Sequence, residues 1–284
     1  MQSLEISHGY VVVNYNNSLI TNNLIQSLKT QNIITKFPIV IVDNISDEEN
    51  IKILNDIIKK EDNVHVEFSK VNLGYFKGLN RGIAYLKNNF PEINCIIIGN
   101  NDLIFPKDFT DNIFQKSSLF TKYPIISPNV ITSDGIHQNP HVINKISIFR
   151  ELVYDLYYSN YILASIIVKL STFTKRISDR SDEAEYRIPR QIYQGHGSCY
   201  ILGPLFLSNF SELLAPTFLF GEEFFLSIQL KSKNFQVYYE PSIQVIHACH
   251  STIHKMPGKT MWRYGKIAHK EYRKYIKLSS LFKL

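Results

Sequence analysis

Four polar clusters in the first part of the chain carry residue types suited to holding a phosphorylated ligand, and each follows a short apolar run. The clusters are Asn14-Tyr15-Asn16-Asn17, Asp43-Asn44-Ile45-Ser46-Asp47, the segment from Asn72 to Ile83, and Gly99-Asn100-Asn101-Asp102. If the apolar runs are strands of one open parallel sheet, their carboxyl ends line a single crevice. Each cluster alone could also be an ordinary turn or helix cap, so it is their shared position that predicts a site.

The third cluster has a glycine at every fourth residue, Gly74, Gly78 and Gly82, around the expected start of a helix. Glycine allows close approach of the backbone to a ligand, and a helix N-terminus favours phosphate. The spacing matches neither the dinucleotide fingerprint nor a P-loop. It therefore indicates an anion contact without assigning it to either motif.

The elements that must position these clusters alternate between strand-like and helical patterns. Strands are predicted at Tyr10–Asn14, Pro38–Val42, Val64–Phe68 and Cys95–Ile98. Helices are predicted around Leu19 to Leu28, Ile51 to Ile58 and Gly78–Asn88. This β-α-β-α-β-α-β order predicts an α/β fold with a parallel sheet of the nucleotide-binding type.

The rhythm of the sequence changes beyond Pro128. We expect three parts, at 1–128, at 129–254 and at 255–284, the last of which is a basic aromatic tail. The second part contains an aromatic-rich helical insertion at about 142–189. A helix is predicted at Gly221–Lys231 and a strand at Val237–Ile246.

The composition limits the partners and the compartment. The chain has 284 residues, of which 44% are hydrophobic and 20% charged, as in a globular enzyme. A net charge of +6 indicates an anionic partner such as nucleotide phosphates, acidic lipids or nucleic acid, or else merely a basic surface. Three scattered cysteines indicate a reducing compartment, and with no signal peptide or membrane span in the sequence we expect a cytoplasmic location.

The motifs VVVNYNN, VDNISD, NLGYFKGLNRGI and GNND resemble, in order and approximate spacing, the GT-A glycosyltransferases of family 2, particularly the rhamnosyltransferase-like branch. GSCYILGP, FGEEFFLSIQLK and YYEPSIQVIHACHS continue the resemblance, which covers roughly Tyr10 to Ser251 apart from the insertion. It implies a GT-A fold: a Rossmann-like, mostly parallel sheet flanked by helices, here with a helical insertion and a basic C-terminal helix. It also implies inverting transfer of a sugar from a nucleoside diphosphate to a glycan acceptor, in cell-surface polysaccharide synthesis.

The resemblance implies that 1–128 is a donor-binding half and 129–254 an acceptor-binding half. It assigns the donor site to the polar clusters, with a UDP- or dTDP-sugar as the donor. Tyr15 and Asn16 would border the base, and Asp43 would accept a hydrogen bond from its uracil- or thymine-like edge. The remaining donor-binding positions are Asn72, Gly74, Asn80 and Asn101.

The resemblance also implies a divalent cation, Mg²⁺ or Mn²⁺. Asp102 takes the family's D-x-D place, whereas Asn100 replaces the first acid. His247, followed by Ser251, matches an H-x-x-x-S segment and would be a second metal or phosphate contact. Such an ion stabilises the charge that develops on a departing diphosphate.

The pair Glu222-Glu223 matches the acidic pair from which the family draws its catalytic base. A carboxylate there would take the proton of the acceptor hydroxyl. We expect Glu223 to be the base and keep Glu222 open, because Phe225 replaces an acid found in many relatives; the pair could also simply stabilise a helix N-terminus. The segment GHGSCY lies where the family builds its acceptor pocket. The predicted acceptor contacts are His196, Gly197 and Ser198.

Two other functions remain open from the residues alone. A nucleotidyltransferase shares the nucleotide-binding sheet, and a noncatalytic nucleic-acid-binding protein would explain the basic aromatic tail. We prefer the transferase, with no nucleic acid as partner, because a nucleic-acid-binding protein would leave the acidic residues unexplained. The acceptor would be lipid-linked or an oligosaccharide. The tail either contacts an anionic membrane surface, at the inner face of the plasma membrane, or packs back on the core.

Overall fold

The computed structural model describes residues 5–32, 37–144, 146, 148–173, 185–248 and 258–276, the last three residues of the 148–173 segment by backbone alone. The first part alternates strands and helices as the sequence predicts. Its strands are β1 (His8–Asn14), β2 (Ile39–Asp43), β3 (Val64–Phe68) and β4 (Cys95–Asn100). Its helices are α1 (Ser18–Lys29), α2 (Glu48–Lys60) and α3 (Tyr75–Asn89).

The second part extends the same sheet and adds helices at its edge. Its strands are β5 (Leu103–Ile104), β6 (Ile125–Thr132), β7 (Arg190–Ile192), β8 (Cys199–Leu202) and β9 (Val237–His247). Its helices are α4 (Phe109–Gln115), the 3₁₀ turn Ser117–Thr121, α5 (Ile148–Ser159), α6 (Tyr161–Phe173), α7 (Pro204–Asn209), α8 (Glu222–Lys231) and α9 (Gly258–Tyr275).

The described strands form one 9-stranded sheet in the order β3-β2-β1-β4-β8-β6-β9-β5, with β7 beside β9. Strands β1 to β4, β6 and β9 run in one direction, and β5, β7 and β8 run in the other. Asn14 is in register with Asp43, and Val13 with Asn100. The polar clusters after β1, β2 and β4 therefore converge on one edge.

The sheet is buried on both faces, and successive residues of each strand point to opposite faces. Tyr10 of β1 belongs to the apolar layer on one face, and Val11 belongs to the layer that includes α3. A Cβ on Gly82 would lie 2.2 Å from Val11 Cγ1, and one on Gly78 would lie 2.8 Å from Val13 Cγ2. These two glycines allow α3 to pack closely on β1, so the ligand contact proposed for all three glycines is wrong for Gly78 and Gly82.

The helical insertion and the basic tail pack against each other. Arg273 of α9 donates from Nε to Asp155 Oδ1 at 2.7 Å, and its Nη1 lies 3.0 Å from Oε2 of the buried Glu151. Trp262 donates its indole N–H to the carbonyl oxygen of Tyr157 at 3.1 Å. The tail therefore packs on the core over Gly258–Tyr275, and its contact with a membrane surface stays a prediction. Among the described helices, none combines the length and apolar character needed to cross a bilayer.

Candidate active site

A cavity of about 370 Å³ lies at the convergent strand ends, between them and the first turn of α8. Most of the residues that the sequence singles out line it: Tyr15, Asn72, Gly74, Asn101, Asp102, His196, Gly197, Ser198, Glu222, Glu223 and His247. Asn16, Asp43 and Asn80 do not line it. Ser251, predicted to act with His247, lies outside the described residues.

Asp102 is held beside His247 by strand pairing. Leu103 of β5 is in register with His247 of β9, and the backbone N–H of Ala248 donates to the carbonyl oxygen of Asp102 at 3.0 Å. The Asp102 side chain is only 3% exposed, and no described residue donates a hydrogen bond to either carboxylate oxygen. His247 Nε2 lies 3.2 Å from Oδ1. A buried carboxylate in this situation needs a positive partner.

The tautomer of His247 follows from its neighbours. Its Nδ1 lies 2.7 Å from Gln138 Oε1, which can only accept, so Nδ1 carries a proton. Nε2 lies 3.3 Å from the side-chain nitrogen of Asn100 and faces the Asp102 carboxylate. A carboxylate and an imidazole nitrogen together suit a divalent cation such as Mn²⁺. These two side chains would fill only part of the coordination shell of a bound cation and would leave positions for phosphate oxygens.

The first turn of α8 presents the two glutamates. Glu223 Oε1 accepts a hydrogen bond from the backbone N–H of Gly197 at 3.1 Å. Burial, and then the neighbouring Glu223 carboxylate, raise the pKa of Glu222 to about 8. A carboxyl group whose pKa lies nearer neutrality can take and hold a proton during catalysis.

The backbone of Gly197 lies between Glu223 and Tyr75 and bonds both. The Tyr75 hydroxyl donates to the Gly197 carbonyl oxygen at 2.8 Å, while the Gly197 N–H donates to Glu223. Burial raises the pKa of Tyr75 well above its usual range, as do, to a smaller extent, Cys199 and the two glutamates. Its hydroxyl therefore stays protonated. Tyr75 was not predicted from the sequence, although this residue directly follows Gly74 in the third cluster.

The turn before α3 meets the loop before α8. Gly74 has φ of 79°, and a Cβ there would lie 2.1 Å from the carbonyl oxygen of Phe218. Tyr75 N–H donates to that oxygen at 3.2 Å. Asn44 accepts from Leu73 N–H at 3.2 Å and donates to the Gly74 carbonyl oxygen at 2.9 Å. Asn44 and Phe218 are thus two further cavity residues that the analysis did not select.

His196 lies beside the Asp102–His247 pair in the cavity. Its ring centroid is 5.9 Å from that of His247, and its Nδ1 is 2.8 Å from Ser198 Oγ. Its backbone N–H donates to Oδ1 of the buried Asn139 at 2.7 Å. Asn139, also missed, fixes the start of the His196–Ser198 segment.

The three predicted residues outside the cavity lining hold neighbouring loops. Asp43 is buried and accepts from Asn14 Nδ2 at 2.8 Å and from Ser46 N–H at 3.0 Å. Asn16 Oδ1 accepts from Asp47 N–H at 2.8 Å. Asn80 exchanges two hydrogen bonds with the backbone of Leu213, at 2.7 and 2.8 Å. Their contacts to a nucleotide stay predictions.

The fold and the cavity together define the class of protein. A first half with parallel strands continues into a mixed extension of the sheet, and its carboxyl edge faces a helix that begins with two glutamates. This is the GT-A fold, as expected from the sequence. The chain belongs to glycosyl transferase family 2, whose model matches residues 10–152, just over half of its 284 residues.

Solved structures resemble the chain over most of its length. The mannosyltransferase PcManGT from Pyrobaculum calidifontis, in complex with GDP-Man and Mn²⁺, aligns with a TM-score of 0.58 and 12% identity, over 96% of this chain and 66% of that one. GalNAc-T7 with UDP, GalNAc and Mn²⁺ gives 0.57 and 15%, over 86% and 44%. TarS from S. aureus gives 0.53 and 14%, over 86% and 37%.

These identities establish a shared fold and nothing finer. The chain spans 37% to 66% of the lengths of the three structures. Comparison with curated protein sequences gives no significant match.

Proposed function

We propose that the chain is an inverting, metal-assisted glycosyltransferase that moves a sugar from a nucleoside diphosphate to a glycan acceptor. One observation carries the proposal. A single cavity joins a buried carboxylate without a hydrogen-bond donor among the described residues, Asp102, to the glutamates Glu222 and Glu223. The Asp102 carboxylate suits the phosphate end of a donor, and the two glutamates suit the hydroxyl of an acceptor.

The donor side is a cation site. Asp102 and His247 would hold Mg²⁺ or Mn²⁺, which when bound neutralises charge on the departing diphosphate. Two of the structures that share the fold contain a nucleotide or nucleotide sugar together with Mn²⁺, which supports both the donor class and the metal. The turn at Asn72 and Gly74 lies at the same cavity and gives the backbone a close approach to the donor.

On the acceptor side, Glu223 takes the proton of the attacking hydroxyl. The Gly197 N–H fixes the orientation of its carboxylate. Burial and the neighbouring Glu223 carboxylate raise the pKa of Glu222 beside it. The hydroxyl oxygen then attacks the anomeric carbon from the face opposite the diphosphate. The carbon–oxygen bond to the diphosphate breaks as the new glycosidic bond forms, so the configuration inverts. His196 and Ser198 line the same part of the cavity and would orient the acceptor.

The substrates follow from the motifs. Their resemblance to the rhamnosyltransferase-like branch favours a hexose or deoxyhexose carried on UDP or dTDP. We propose a lipid-linked or oligosaccharide acceptor of a cell-surface polysaccharide, glycosylated at the cytoplasmic side of the membrane.

The stereochemistry of donor hydrolysis tests this proposal. The full chain is incubated with a panel of UDP- and dTDP-sugars and MnCl₂, and the released sugar is followed by proton NMR from the first minutes. We expect nucleotide release from at least one donor, with the sugar appearing first in the inverted anomeric form. Hydrolysis with retention would overturn the mechanism, and release by Asp102→Asn at the wild-type rate would overturn the site.

A further inference from the structure

The two helices of the insertion, α5 and α6, expose stripes of large apolar side chains. On α5 the stripe is Phe149, Leu152 and Leu156, and on α6 it is Ile162, Ile166 and Leu170. These six side chains are between 45% and 70% exposed in the described part of the chain. Single exposed apolar residues are ordinary, but stripes at helical spacing mark a surface that contacts something.

Helix α9 exposes a stripe of positive charge beside them. The stripe recurs every three or four residues: Lys259, Arg263, Lys266, Lys270 and Lys274. The face turned inward is small and buried, at Gly265 and Ala268. The solvent side of the helix is therefore mainly cationic, with Ile267 and Tyr275 exposed among the basic residues and Lys274 paired with Glu271 at 2.6 Å.

The basic stripe adjoins the junction of α5 and α6. Lys266 Nζ donates to the carbonyl oxygen of Ser159 at 2.9 Å, and Lys259 Nζ lies 6.0 Å from the ring centroid of Tyr161. A groove of about 460 Å³ runs between α5 and α9, with Arg263 and Lys270 at its margin. Ile267, 56% exposed, lies in the same groove.

The apolar stripe of α5 remains available beside this interface. Helix α9 contacts α5 through Asp155, which bonds His269 at 2.6 Å, and through Tyr158, which packs on Gly265. Leu156 follows Asp155 by one position, which turns it about 100° around the helix axis. The stripe therefore lies beside the contact with α9, and its residues are not part of that contact.

We infer that the α5–α6 stripes and the basic stripe of α9 together bind the surface of an anionic lipid bilayer. Cations paired with acidic headgroups and apolar side chains at the acyl boundary are the two components of peripheral attachment. From the sequence, this contact was predicted for the basic aromatic tail as a whole. In the structure the basic stripe of α9 faces outward, whereas Trp262 bonds Tyr157 and the rings of Tyr264 and Tyr272 pack on Phe218 and Phe224.

The opposite side of α9 reaches the candidate active site. Phe218 lines the cavity, and Phe224 follows Glu223 in α8. A bilayer bound to the outer side of α9 would therefore lie one helix away from the proposed base, where a lipid-linked acceptor is delivered. Membrane binding itself does not depend on the proposed function.

Vesicle flotation of the full chain tests the inference. Vesicles of phosphatidylcholine alone are compared with vesicles containing phosphatidylglycerol, at low and high salt. The charge variant is Arg263→Gln, Lys270→Gln and Lys274→Gln together, and the apolar variant is Ile162→Gln, Ile166→Gln and Leu170→Gln together. The matched charge control is Lys52→Gln, Lys59→Gln and Lys60→Gln on the exposed side of α2, and the apolar control is Leu19→Gln on α1.

We expect the wild type and both controls to float with anionic vesicles at low salt and to separate from them at high salt, where charges are screened. Bound protein should fall by roughly tenfold or more in the charge variant, since each basic residue near the surface contributes separately. The apolar variant should also lose binding. Solution hydrolysis of the donor should be unchanged in both variants, which separates this test from that of the proposed function.

Other results overturn the inference. Absence of flotation, equal flotation with neutral vesicles, or equal loss in the α2 control would each do so. A wild-type dimer in sedimentation that the apolar variant converts to a monomer, without vesicle binding, would show that a second copy covers the stripes instead.

Discussion

Glu223 of α8 and Gly197, in the turn before β8, are joined by a hydrogen bond of 3.1 Å from the Gly197 backbone N–H to the Glu223 carboxylate. A Cβ on Gly197 would lie 2.6 Å from Glu223 Oε1, so a larger residue would force the carboxylate to move. The Gly197 carbonyl oxygen, in the next peptide group, accepts from Tyr75. The orientation of the proposed base therefore depends on the backbone position of Gly197, which Tyr75 holds from the other side.

Gly197→Ala should displace the Glu223 carboxylate without removing any catalytic group. We expect transfer to fall by about tenfold to a hundredfold, as a misplacement of roughly 1 Å can do. UDP binding, measured by calorimetry, should stay within about twofold because uniform donor binding does not need the base. Gly258→Ala is the control, since its nearest contact is an ordinary 3.8 Å. Unchanged transfer in Gly197→Ala would show that the contact with Gly197 does not position the base.

Tyr75→Phe removes only the hydroxyl that holds the Gly197 carbonyl oxygen. One hydrogen bond contributes about 0.5–1.5 kcal/mol, so kcat should fall by roughly 2- to 12-fold with little change in donor KM. Tyr238→Phe, a partly exposed tyrosine stacked on Tyr123, serves as control. A rise in donor KM with unchanged kcat would instead assign Tyr75 to donor binding.

Asp102→Asn should weaken UDP binding in the presence of Mn²⁺ and leave metal-free binding nearly unchanged. The reason is that the buried carboxylate supplies the full negative charge of the cation site. Calorimetry with UDP and dTDP, with and without EDTA, measures the difference. The control is Asp108→Asn, an exposed carboxylate a few residues along the chain. If UDP binds the wild type equally with Mn²⁺ and with EDTA, Asp102 has no metal role.

The raised pKa of Glu222 predicts a pH dependence of stability. Its carboxyl group binds a proton more tightly in the folded than in the unfolded protein, so its contribution to stability is greatest at acidic pH. The free energy of unfolding should therefore fall as pH rises from the ordinary pKa of a glutamate towards about 8. Glu222→Gln removes this dependence and should be more stable than the wild type at pH 8, by more than about 1 kcal/mol, which is the value of a single pKa unit.

Urea unfolding of both proteins at pH 5 and pH 8 measures this difference. The Glu222→Gln variant and the wild type should be closer in stability at pH 5 than at pH 8. A wild type that gains stability relative to the variant as the pH rises would show that Glu222 is ionised without penalty.

Local sequence patterns account for the sheet and for the strand-end clusters. β-branched runs followed by polar residues fix where β1, β2 and β4 end, and the register then brings Asn14 beside Asp43. The contacts that were missed join distant parts of the chain. Tyr75 and Gly197 are 122 residues apart, and Asn139 and His196 are 57 apart. No local pattern records such pairs.

The prediction of a ligand contact at Gly78 and Gly82 was wrong for a physical reason. Both a close ligand and a closely packed strand require a missing side chain, so Gly74, Gly78 and Gly82 look alike in sequence. Only the structure separates Gly74, which lines the cavity, from the two that pack on β1. The aromatic residues of the tail behave similarly, since a ring suited to a bilayer interface also suits a helix interface.

The most direct measurement is the effect of Glu223→Gln on transfer and on donor binding in the same preparation. The amide cannot take the proton of the acceptor hydroxyl, so transfer should fall by about two to four orders of magnitude. Calorimetric UDP binding with Mn²⁺ should remain at the wild-type value, and Glu222→Gln should lose less activity. Normal transfer by Glu223→Gln would contradict the account, and inactivity of Glu222→Gln alone would reverse the assignment within the pair.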